Sequence, residues 1–426
     1  MFSNTSLIYS KYKFDIGIKY EERLGDKYEL DYFSGIRDYG LKYDMHYIPN
    51  STHYIRMGIT STHHLFTPSA FAVKGSLVND IESKAKQIKS LESAAYIEDE
   101  IKLNRSKFNA GLRFTNFYVN KKSYFSLEPR LMYSYMINEN LSFKASYAFM
   151  NQYIHLLSTT GISLPVDLWV PSTDIVKPKQ SQQVAIGFAQ DFSNPAFSVS
   201  LEGYYKTMRN IISYKEGASF ISTGTFDENQ EFNYEDVVTT GNGKSYGVEL
   251  LVQRKYGKLT GWVGYTLSWT KYKFDELNFG KEFWARHDRR HDISIVAIYK
   301  LKEKITISGT WVFGSGDAIT LQKAVFNGVT HNINGYTGFN RVYDYGSRND
   351  FRMAPYHRLD LGVQFHKNLS WGGKRTIEVG LYNVYSRANP FFYYIGNEYS
   401  NGKSYTVLKQ VSLFPIIPSI SYYLKF

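Results

Sequence analysis

Long segments in which apolar and polar residues alternate are the feature that most restricts the fold of this chain. The segment 140–149 reads NLSFKASYAF, and the same period of two recurs in RLDLGVQFH (358–366), KITISGTWVF (304–313) and FSVSLEGYYK (197–206). Successive side chains of a β-strand point to opposite faces, so this period predicts strands with one apolar and one polar face. The chain is therefore expected to be all-β.

The length and the spacing of these segments indicate a membrane protein. They run for about ten residues, which exceeds the ~5–6 residues of an ordinary globular strand and suits a tilted transmembrane strand. Short links alternate with long ones: the short links are 49–53, 138–140, 193–196, 255–257, 302–304 and 368–374, and the long links are 67–90, 153–179, 212–240, 275–288, 315–354 and 390–406. The pattern predicts an antiparallel transmembrane β-barrel of about 16 strands, with short periplasmic turns and long extracellular loops. A secreted β-propeller or β-sandwich is the alternative, but its strands would be shorter and more evenly spaced.

The amino-acid composition supports the prediction of β-strands and excludes several classes of function. Aromatic residues make up 17% of the 426 residues, which fits the β-propensity of Tyr and Phe. Without cysteine, the chain can form neither a disulfide framework nor a thiolate zinc site. The net charge of +11 comes from scattered Lys and Arg, so we expect contact with outer-membrane lipid and lipopolysaccharide and no binding of nucleic acid. No apolar run is long enough for a transmembrane helix, and the first residues do not have the pattern of a signal peptide.

The C-terminal segment PSISYYLKF (418–426) continues the alternation to the last residue. Its apolar positions are Ile420, Tyr422, Leu424 and Phe426. A terminal strand of this kind resembles the signal that the barrel assembly machinery of the outer membrane reads. We therefore expect Phe426 to lie in an aromatic girdle at the periplasmic rim, which places the C-terminus in the periplasm of a Gram-negative bacterium.

Several longer stretches resemble the barrel of TonB-dependent outer-membrane receptors, in the form typical of Bacteroidetes-like bacteria. These stretches are AAYIEDEIKLN (94–104), SYGVELLVQRKYGKLTGWVGYTLSWT (245–270), FWARHDRRHDISIV (283–296), YHRLDLGVQF (356–365) and GLYNVYSRANPFFYY (380–394). Their order and spacing extend the resemblance over nearly the whole chain. The resemblance implies a barrel of about 22 strands around a plug that gates active uptake of a scarce nutrient.

The chain departs from that family pattern because neither a plug nor the first strands of the barrel are recognisable. Residues 1–426 are therefore interpreted as the C-terminal portion of a receptor barrel without a plug domain. The missing part and, through it, TonB are the expected partners. A sheet of sixteen strands that stayed open would leave two unpaired edges in lipid, where each unpaired backbone group is costly. We expect the chain to close as a smaller barrel or to recruit the missing part.

Two stretches are candidates for contact with a small-molecule or metal-chelate ligand. The loop NQYIHLLSTTGISLPVDLWVPST (151–173) offers stacking and hydrogen bonding through its side chains. The residues concerned are Tyr153, His155, Asp167 and Trp169. His63 and His64 lie where a strand is expected to enter an external loop. Self-packing of the loop and a solvated barrel rim are the structural alternatives.

The stretch ARHDRRHD (285–292) has the composition of a metal site but not its spacing. In a strand, His287 and His291 would stand about 13 Å apart, which is too far for one ion. A charged cluster at the outer lip of the barrel is the better interpretation, and we expect no metal and no cofactor. Motifs of serine hydrolases and zinc proteases are absent, so the chain is not expected to be an enzyme.

The sequence thus predicts an outer-membrane receptor for TonB-dependent uptake of a scarce nutrient. The resemblance implies a ferric chelate, cobalamin or an oligosaccharide as cargo, and the basic charge favours an anionic ferric chelate. A passive porin-like channel and a non-functional receptor fragment are the alternatives.

Overall fold

A computed structural model describes residues 1–21, 27–75, 81–82, 87–158, 167–193, 196–216, 218, 233–331 and 337–426. Within these residues, 16 long antiparallel strands form one sheet, together with the two-residue strands Ile81–Glu82 and Phe283–Trp284. The long strands are β1 Phe2–Glu21, β2 Lys27–Tyr47, β3 His53–Gly75, β4 Ile88–Leu103, β5 Ser106–Val119, β6 Lys122–Met136, β7 Leu141–Gln152, β8 Lys179–Ser193, β9 Ala196–Tyr214, β10 Val238–Arg254, β11 Leu259–Phe274, β12 His291–Lys302, β13 Ile305–Gly314, β14 Tyr356–Asn368, β15 Lys374–Tyr382 and β16 Ile417–Lys425. The prediction of an all-β fold with about 16 strands is confirmed.

Each long strand pairs with its neighbours in the sequence, and the links between strands separate into two ends of the sheet. At one end every link is short, from 48–52 through 104–105 to 369–373. The other end carries the longest links, which are 153–178, 215–237, 315–355 and 383–416. A connection among the described residues departs from the expected pattern: β5 and β6 meet at the long-link end in a two-residue turn, where Asn120 and Lys121 have φ of 47° and 66°. Positive φ at both residues is the geometry of a tight hairpin turn.

Shorter elements lie in the long links. Three hairpins follow β7, β13 and β15, and the structure places a further pair of two-residue strands beside the second of them. They are Ile154–Ser158 with Asp167–Pro171, Ala324–His331 with Thr337–Asp344, Pro390–Ser400 with Lys403–Ser412, and Ala318–Ile319 with Phe351–Arg352. Single 3-10 turns occur at Tyr234–Val237 and Asn278–Gly280. No helix among the described residues is long and apolar enough to cross a membrane.

The strand register places the apolar positions of neighbouring strands on one continuous face. On β8, Val184, Ile186 and Phe188 are 49%, 59% and 48% exposed, whereas Ala185 between them is 5% exposed. Phe188 stands opposite Phe143 of β7 on one side and opposite Leu201 of β9 on the other. Large apolar side chains that face outward along a whole sheet are what lipid contact requires of a transmembrane barrel.

The last strand follows the same rule. Ile420, Tyr422 and Leu424 are 77%, 62% and 38% exposed on one face of β16, and Ile420 stands opposite Val379 of β15. The Phe426 ring lies 5.7 Å from the Trp371 ring, which belongs to the short link 369–373. The chain therefore ends in an aromatic pair at the short-link end of the sheet.

The sheet curves around the hairpin Ile154–Ser158/Asp167–Pro171, which we call the inner hairpin. Its first strand contacts β9, and its second strand contacts β2 and β3, which lie far from β9 in the strand order. A flat sheet cannot bring these strands to one hairpin, so the sheet wraps around it. Within the described residues, β1 pairs with β2 alone and β16 pairs with β15 alone.

Candidate ligand-binding site

The inner hairpin is anchored to the sheet at its base by hydrogen bonds. The Ser172 backbone N–H donates to the Tyr153 carbonyl at 2.7 Å, and the Tyr124 hydroxyl of β6 donates to the Thr173 carbonyl at 2.7 Å. The Tyr234 hydroxyl donates to the Pro171 carbonyl at 2.8 Å, and burial raises the pKa of this phenol. The Ser172 bond closes the base of the hairpin, and the bonds from Tyr124 and Tyr234 join it to two other segments of the chain.

A hydrophobic core lies where the hairpin meets the strands. Leu157, Leu168 and Val170 of the hairpin are at most 1% exposed. The other members are Val176, Ile212, Tyr214, Tyr234 and Val238, and Phe14 and Ile88 pack against them. Because these residues come from β1, β4, β9, β10 and two loops, the core joins the hairpin to both sides of the curved sheet.

One cavity of about 510 Å³ opens on the β1 to β4 side of the hairpin, and we call it the acidic cavity. Its lining consists of Tyr12, Ile36, Asp38, Glu92, Asn151, Gln152, Tyr153, Ile154 and Trp169. The volume is in the range of small-molecule sites. Asp38 and Glu92 are the charged residues of this lining, and both are acidic.

His64 lies behind the two carboxylates of the acidic cavity. Its Nδ1 is 2.8 Å from Asp38 Oδ1, and its Nε2 is 3.9 Å from Glu92 Oε2. The residue is 5% exposed, and Nε2 has no hydrogen-bond partner among the described residues. Arg113 stands 3.7 Å from the other oxygen of Glu92. Asp38 therefore has a close hydrogen bond to the imidazole, whereas both contacts of Glu92 exceed hydrogen-bond distance.

Tyr153 closes the floor of the acidic cavity. Its ring stacks on Phe117 with centroids 4.9 Å apart and an interplanar angle of 3°. Its hydroxyl is 2.5 Å from Thr115 Oγ1, and both residues are buried. Asn151 beside it donates from its side chain to Ser126, and its backbone N–H donates to Glu128 at 3.1 Å. This side of the cavity is rigid because its polar groups already have partners.

A second cavity of about 470 Å³ opens on the other side of the hairpin, and we call it the basic cavity. Its lining consists of Gln152, His155, Leu156, Ser158, Lys179, Ile211, Ile212, Ser213, Tyr272, Phe283, Arg286, His287, Asp317 and Asn349. Asp317 lies 3.5 Å from Arg289, so a neighbouring cation already compensates this carboxylate. No ion pair of Lys179 is recorded within the described residues. The cavity therefore presents net positive charge.

Of the two histidines of the basic cavity, His155 is buried and His287 is exposed, and desolvation by the surrounding protein is the main cause that lowers the pKa of each. The pKa of His155 falls to about 4, and the positive charge of Lys179 contributes to the shift. His155 is 4% exposed, and its Nε2 is 3.0 Å from the Ser172 hydroxyl. Both imidazoles are neutral at pH 7, because a folded-state pKa below the ordinary value favours the uncharged form.

Some of the ligand-binding candidates selected from the sequence line these two cavities, and others do not. Tyr153 and Trp169 line the acidic cavity, and His155 lines the basic one. Asp167 begins the second strand of the hairpin, and its side chain lies outside the described part of the structure.

The neighbouring histidines do not lie at a strand end, contrary to the expectation, because β3 continues to Gly75, through a register shift opposite Phe33 and Gly35. Their side chains face opposite sides of the sheet. His63 stands opposite Tyr39 and Leu91, which are 45% and 40% exposed on the outer face. His64 faces inward and binds Asp38.

The stretch ARHDRRHD forms the expected charged cluster. Asp288 is 1% exposed, binds Arg352 and accepts a bond from the Thr270 backbone N–H at 2.6 Å. Arg290 lies 4.7 Å from the ring of Trp284, which also faces Arg352 at 5.6 Å. Among the described residues, no group of three His, Asp or Glu is placed to hold a metal ion.

Several cavity residues were missed from the sequence. Asp38, Glu92 and Lys179 lie in ordinary alternating strands, where they resemble any other inward-facing polar residue. Only the strand register could have identified these residues. Asp38 pairs with His64 across β2 and β3, and His64 pairs with Ser90 across β3 and β4. Only the aligned strands show that these inward positions meet the hairpin.

Comparison with known protein families agrees with the β-sheet architecture. The family model described as TonB dependent receptor-like, beta-barrel, matches residues 4–384. A search of curated proteins found no match.

Solved structures resemble the fold at low sequence identity. The FrpB iron transporter from Neisseria meningitidis (F3-3 variant) aligns with a TM-score of 0.56 and 13% identity, over 98% of this chain and 63% of that chain. The ferripyoverdine receptor of the outer membrane of Pseudomonas aeruginosa has a TM-score of 0.54 and 12% identity, over 99% of this chain and 53% of that one. The ferric citrate transporter FecA has a TM-score of 0.54 and 11% identity, over 97% and 61%.

This chain thus spans less than two thirds of the length of these three structures. The family model, in contrast, covers most of the chain itself. The chain belongs to the TonB-dependent receptor-like β-barrel family.

Proposed function

We propose that this chain forms a large part of the wall of an outer-membrane receptor that takes up a ferric chelate in a TonB-dependent manner. The observation that carries the proposal is the inner hairpin, held inside a curved sheet of the receptor family with a solute-sized cavity on each side. An outward apolar face and an inward site for small solutes are what an uptake receptor needs.

The basic cavity is the proposed site for the cargo. Lys179 and Arg286 provide positive charge, the neutral His287 provides hydrogen-bonding nitrogens, and the buried, neutral His155 forms part of the wall. An anionic ferric chelate fits this lining better than a neutral oligosaccharide or cobalamin, because Lys179 has no ion pair among the described residues and would attract the negative charge. Two structural neighbours, an iron transporter and a ferric citrate transporter, agree with iron as cargo.

The remaining candidate residues receive different roles. Tyr153 and Trp169 line the neighbouring acidic cavity, and His64 lies behind its wall. This cavity can contact a larger chelate from the other side of the hairpin. His63 is proposed to face lipopolysaccharide or lipid. Asp167 stays a candidate ligand contact.

Residues 1–426 are proposed to be the C-terminal portion of the receptor barrel, with the plug and the first strands supplied by another segment. The support is that β1 and β16 each have one neighbour strand within the described residues. Backbone groups of both edge strands need partners in lipid, and added strands would provide them. TonB would then act through the plug.

The membrane orientation follows from the two ends of the sheet. We place the short links and Phe426 in the periplasm and the long links outside the cell, in a bacterium of the Bacteroidetes type. Phe426, Leu424, Tyr422 and Ile420 would form the signal for the barrel assembly machinery, and the basic surface would contact lipopolysaccharide.

The binding step is testable on the chain itself. The refolded chain in detergent micelles would be titrated with ferric citrate and, as a control, with a neutral oligosaccharide. We expect saturable binding of the anionic chelate alone, and equal or absent binding of both would contradict the cargo class.

The uptake step needs a cell. In a Gram-negative host without its own ferric-chelate receptors, the chain would be produced with an N-terminal receptor piece that contains the plug. Iron uptake that disappears on removal of TonB supports the receptor. Uptake that is independent of TonB, together with steady conductance of the chain in planar bilayers, would instead identify a passive channel.

A further inference from the structure

We infer that the acidic cavity is a second binding site, specific for an organic cation in which an ammonium or guanidinium group is carried on a small apolar or aromatic body. The inference concerns binding and does not depend on TonB-driven uptake. It starts from the two carboxylates, Asp38 and Glu92, which are the charged residues of the cavity lining.

The nearest polar partners of these carboxylates lie behind the cavity wall. They are His64 and Arg113, and neither belongs to the lining. Glu92 stands 3.9 Å from His64 Nε2 and 3.7 Å from Arg113, so neither side chain forms a normal hydrogen bond with it. The Glu92 carboxylate therefore keeps hydrogen-bonding capacity for a ligand that enters the cavity.

One carboxylate of the acidic pair is held in place, and both are reachable from the cavity. Asp38 is tied by the 2.8 Å contact to His64, and the imidazole is 5% exposed. The side chain of Asp38 keeps 24% exposure and that of Glu92 keeps 26%, so both remain reachable from the cavity. A carboxylate whose position is set before binding loses little side-chain entropy when the ligand arrives.

The rest of the lining suits the body of such a cation. Tyr12 and Trp169 offer ring surfaces, and Ile36 and Ile154 offer aliphatic surfaces. Aromatic faces attract a cation through the ring quadrupole, and the attraction increases in a desolvated site. Tyr153 is already stacked on Phe117, so its ring is rigid. Asn151 and Gln152 complete the lining without adding charge.

The negative charge of the acidic cavity excludes anionic ligands. An anion in this cavity would face two carboxylates with no lining cation, and like charges in a confined space repel strongly. The basic cavity on the other side of the hairpin provides the opposite arrangement, with Lys179 and Arg286 in its wall. The ligand of the acidic cavity is thus either a free amine or the cationic arm of a larger chelate.

The test compares three probes of similar size and different charge. Phenethylamine, phenethyl alcohol and phenylacetate share one phenyl ring and present an ammonium, a hydroxyl and a carboxylate. Binding to the refolded chain in detergent micelles is measured by isothermal titration calorimetry at pH 7. Because a charge-assisted hydrogen bond contributes more than a neutral one, we expect the amine to bind roughly tenfold or more tighter than the alcohol. The acid should not bind.

Two variants and a matched control test whether the preference for the amine arises from the carboxylates of the acidic cavity. Asp38→Asn and Glu92→Gln each remove one negative charge and keep the shape, so each should reduce the preference for the amine to roughly threefold or less. Glu202→Gln removes an inward carboxylate of β9 that does not line the cavity and should leave the preference unchanged. Equal affinity of the amine and the alcohol, or an amine preference that survives both cavity variants, would overturn the inference.

A second pair of probes distinguishes the two sources of the cation. A linear hydroxamate chelate of Fe³⁺ with a terminal ammonium is compared with the same chelate after N-acetylation of that amine. A loss of affinity on acetylation that depends on Asp38 assigns the cavity to the arm of a chelate. Tight binding of phenethylamine together with equal affinity of the two chelates assigns it to a free amine.

Discussion

The two cavities share the inner hairpin and Gln152 but present opposite charges. On one side, Asp38 and Glu92 lie among the aromatic residues Tyr12, Tyr153 and Trp169. On the other, Lys179 and Arg286 lie with two histidines, of which His155 is buried. The contrast shows how a barrel family can vary its ligands without changing its fold: the hairpin divides the interior, and the strands on each side determine which charge a solute meets.

Both cavities depend on the hydrophobic core of the inner hairpin. A substitution that weakens this core should therefore have the largest effect on ligand binding. Leu168→Ala removes a side chain that is 1% exposed in the core of the inner hairpin. Such a truncation costs about 2–5 kcal/mol, and the hairpin should lose protection from amide hydrogen exchange while both cavities lose affinity. Exchange of residues 154–158 and 167–171, followed by mass spectrometry, measures the effect.

Ile186→Ala is the matched control, because Ile186 is 59% exposed on the outer face of β8. This variant should leave the exchange of the hairpin and both affinities unchanged. If Leu168→Ala abolished binding in one cavity alone, the hairpin would not be a wall that the two cavities share.

The pH dependence of the hairpin follows from His155. Its pKa is about 4 in the folded state, below the ordinary value near 6.5, so the unfolded state binds the proton more readily between these values. The stability contributed by the neutral imidazole is complete above pH 6.5 and is lost as the pH falls towards 4. At pH 5 the loss amounts to about 2 kcal/mol.

Hydrogen exchange of the hairpin at pH 7 and at pH 5, corrected for the intrinsic rate, tests this expectation. His155→Gln keeps a partner for the Ser172 hydroxyl but does not titrate, so its hairpin should be equally protected at both pH values. A wild-type hairpin whose protection did not change with pH would show that His155 is not responsible for its stability in acid.

What could be predicted from the sequence differs between the wall and the site. The period of two and the alternating link lengths were sufficient for an all-β barrel wall with about 16 strands, because register follows from apolar alternation. The site depends on which inward positions meet a loop that folds back, and alternation carries no such information. Tyr153 and Trp169 were recognised as unusual loop aromatics, whereas Asp38 and Glu92 gave no local signal because every barrel interior is polar.

The opposite charges of the cavities should appear as opposite preferences for ligands. Lys179→Gln removes one positive charge from the basic cavity and should weaken binding of ferric citrate by about 1–1.5 kcal/mol, or roughly tenfold. Binding of phenethylamine should not change, because Lys179 does not line the acidic cavity. Calorimetric titration of the refolded chain with both ligands makes the comparison, and a parallel loss of both affinities would mean that the two cavities are one site.

The smallest effect is expected from a substitution of His63. This residue faces outward, whereas His64, the next residue in the chain, faces inward. His63→Gln should change the affinity of neither ligand by more than about 0.5 kcal/mol, because the side chain faces outward beside Tyr39 and Leu91. His64→Gln, one residue further, removes the imidazole that holds Asp38, so the preference for the amine over the alcohol should fall. If the two variants behaved alike, the division between an apolar outer face and a ligand-binding inner face would fail at this point of β3. A difference confined to His64 would place the acidic cavity on the inner face by a measurement independent of its carboxylates.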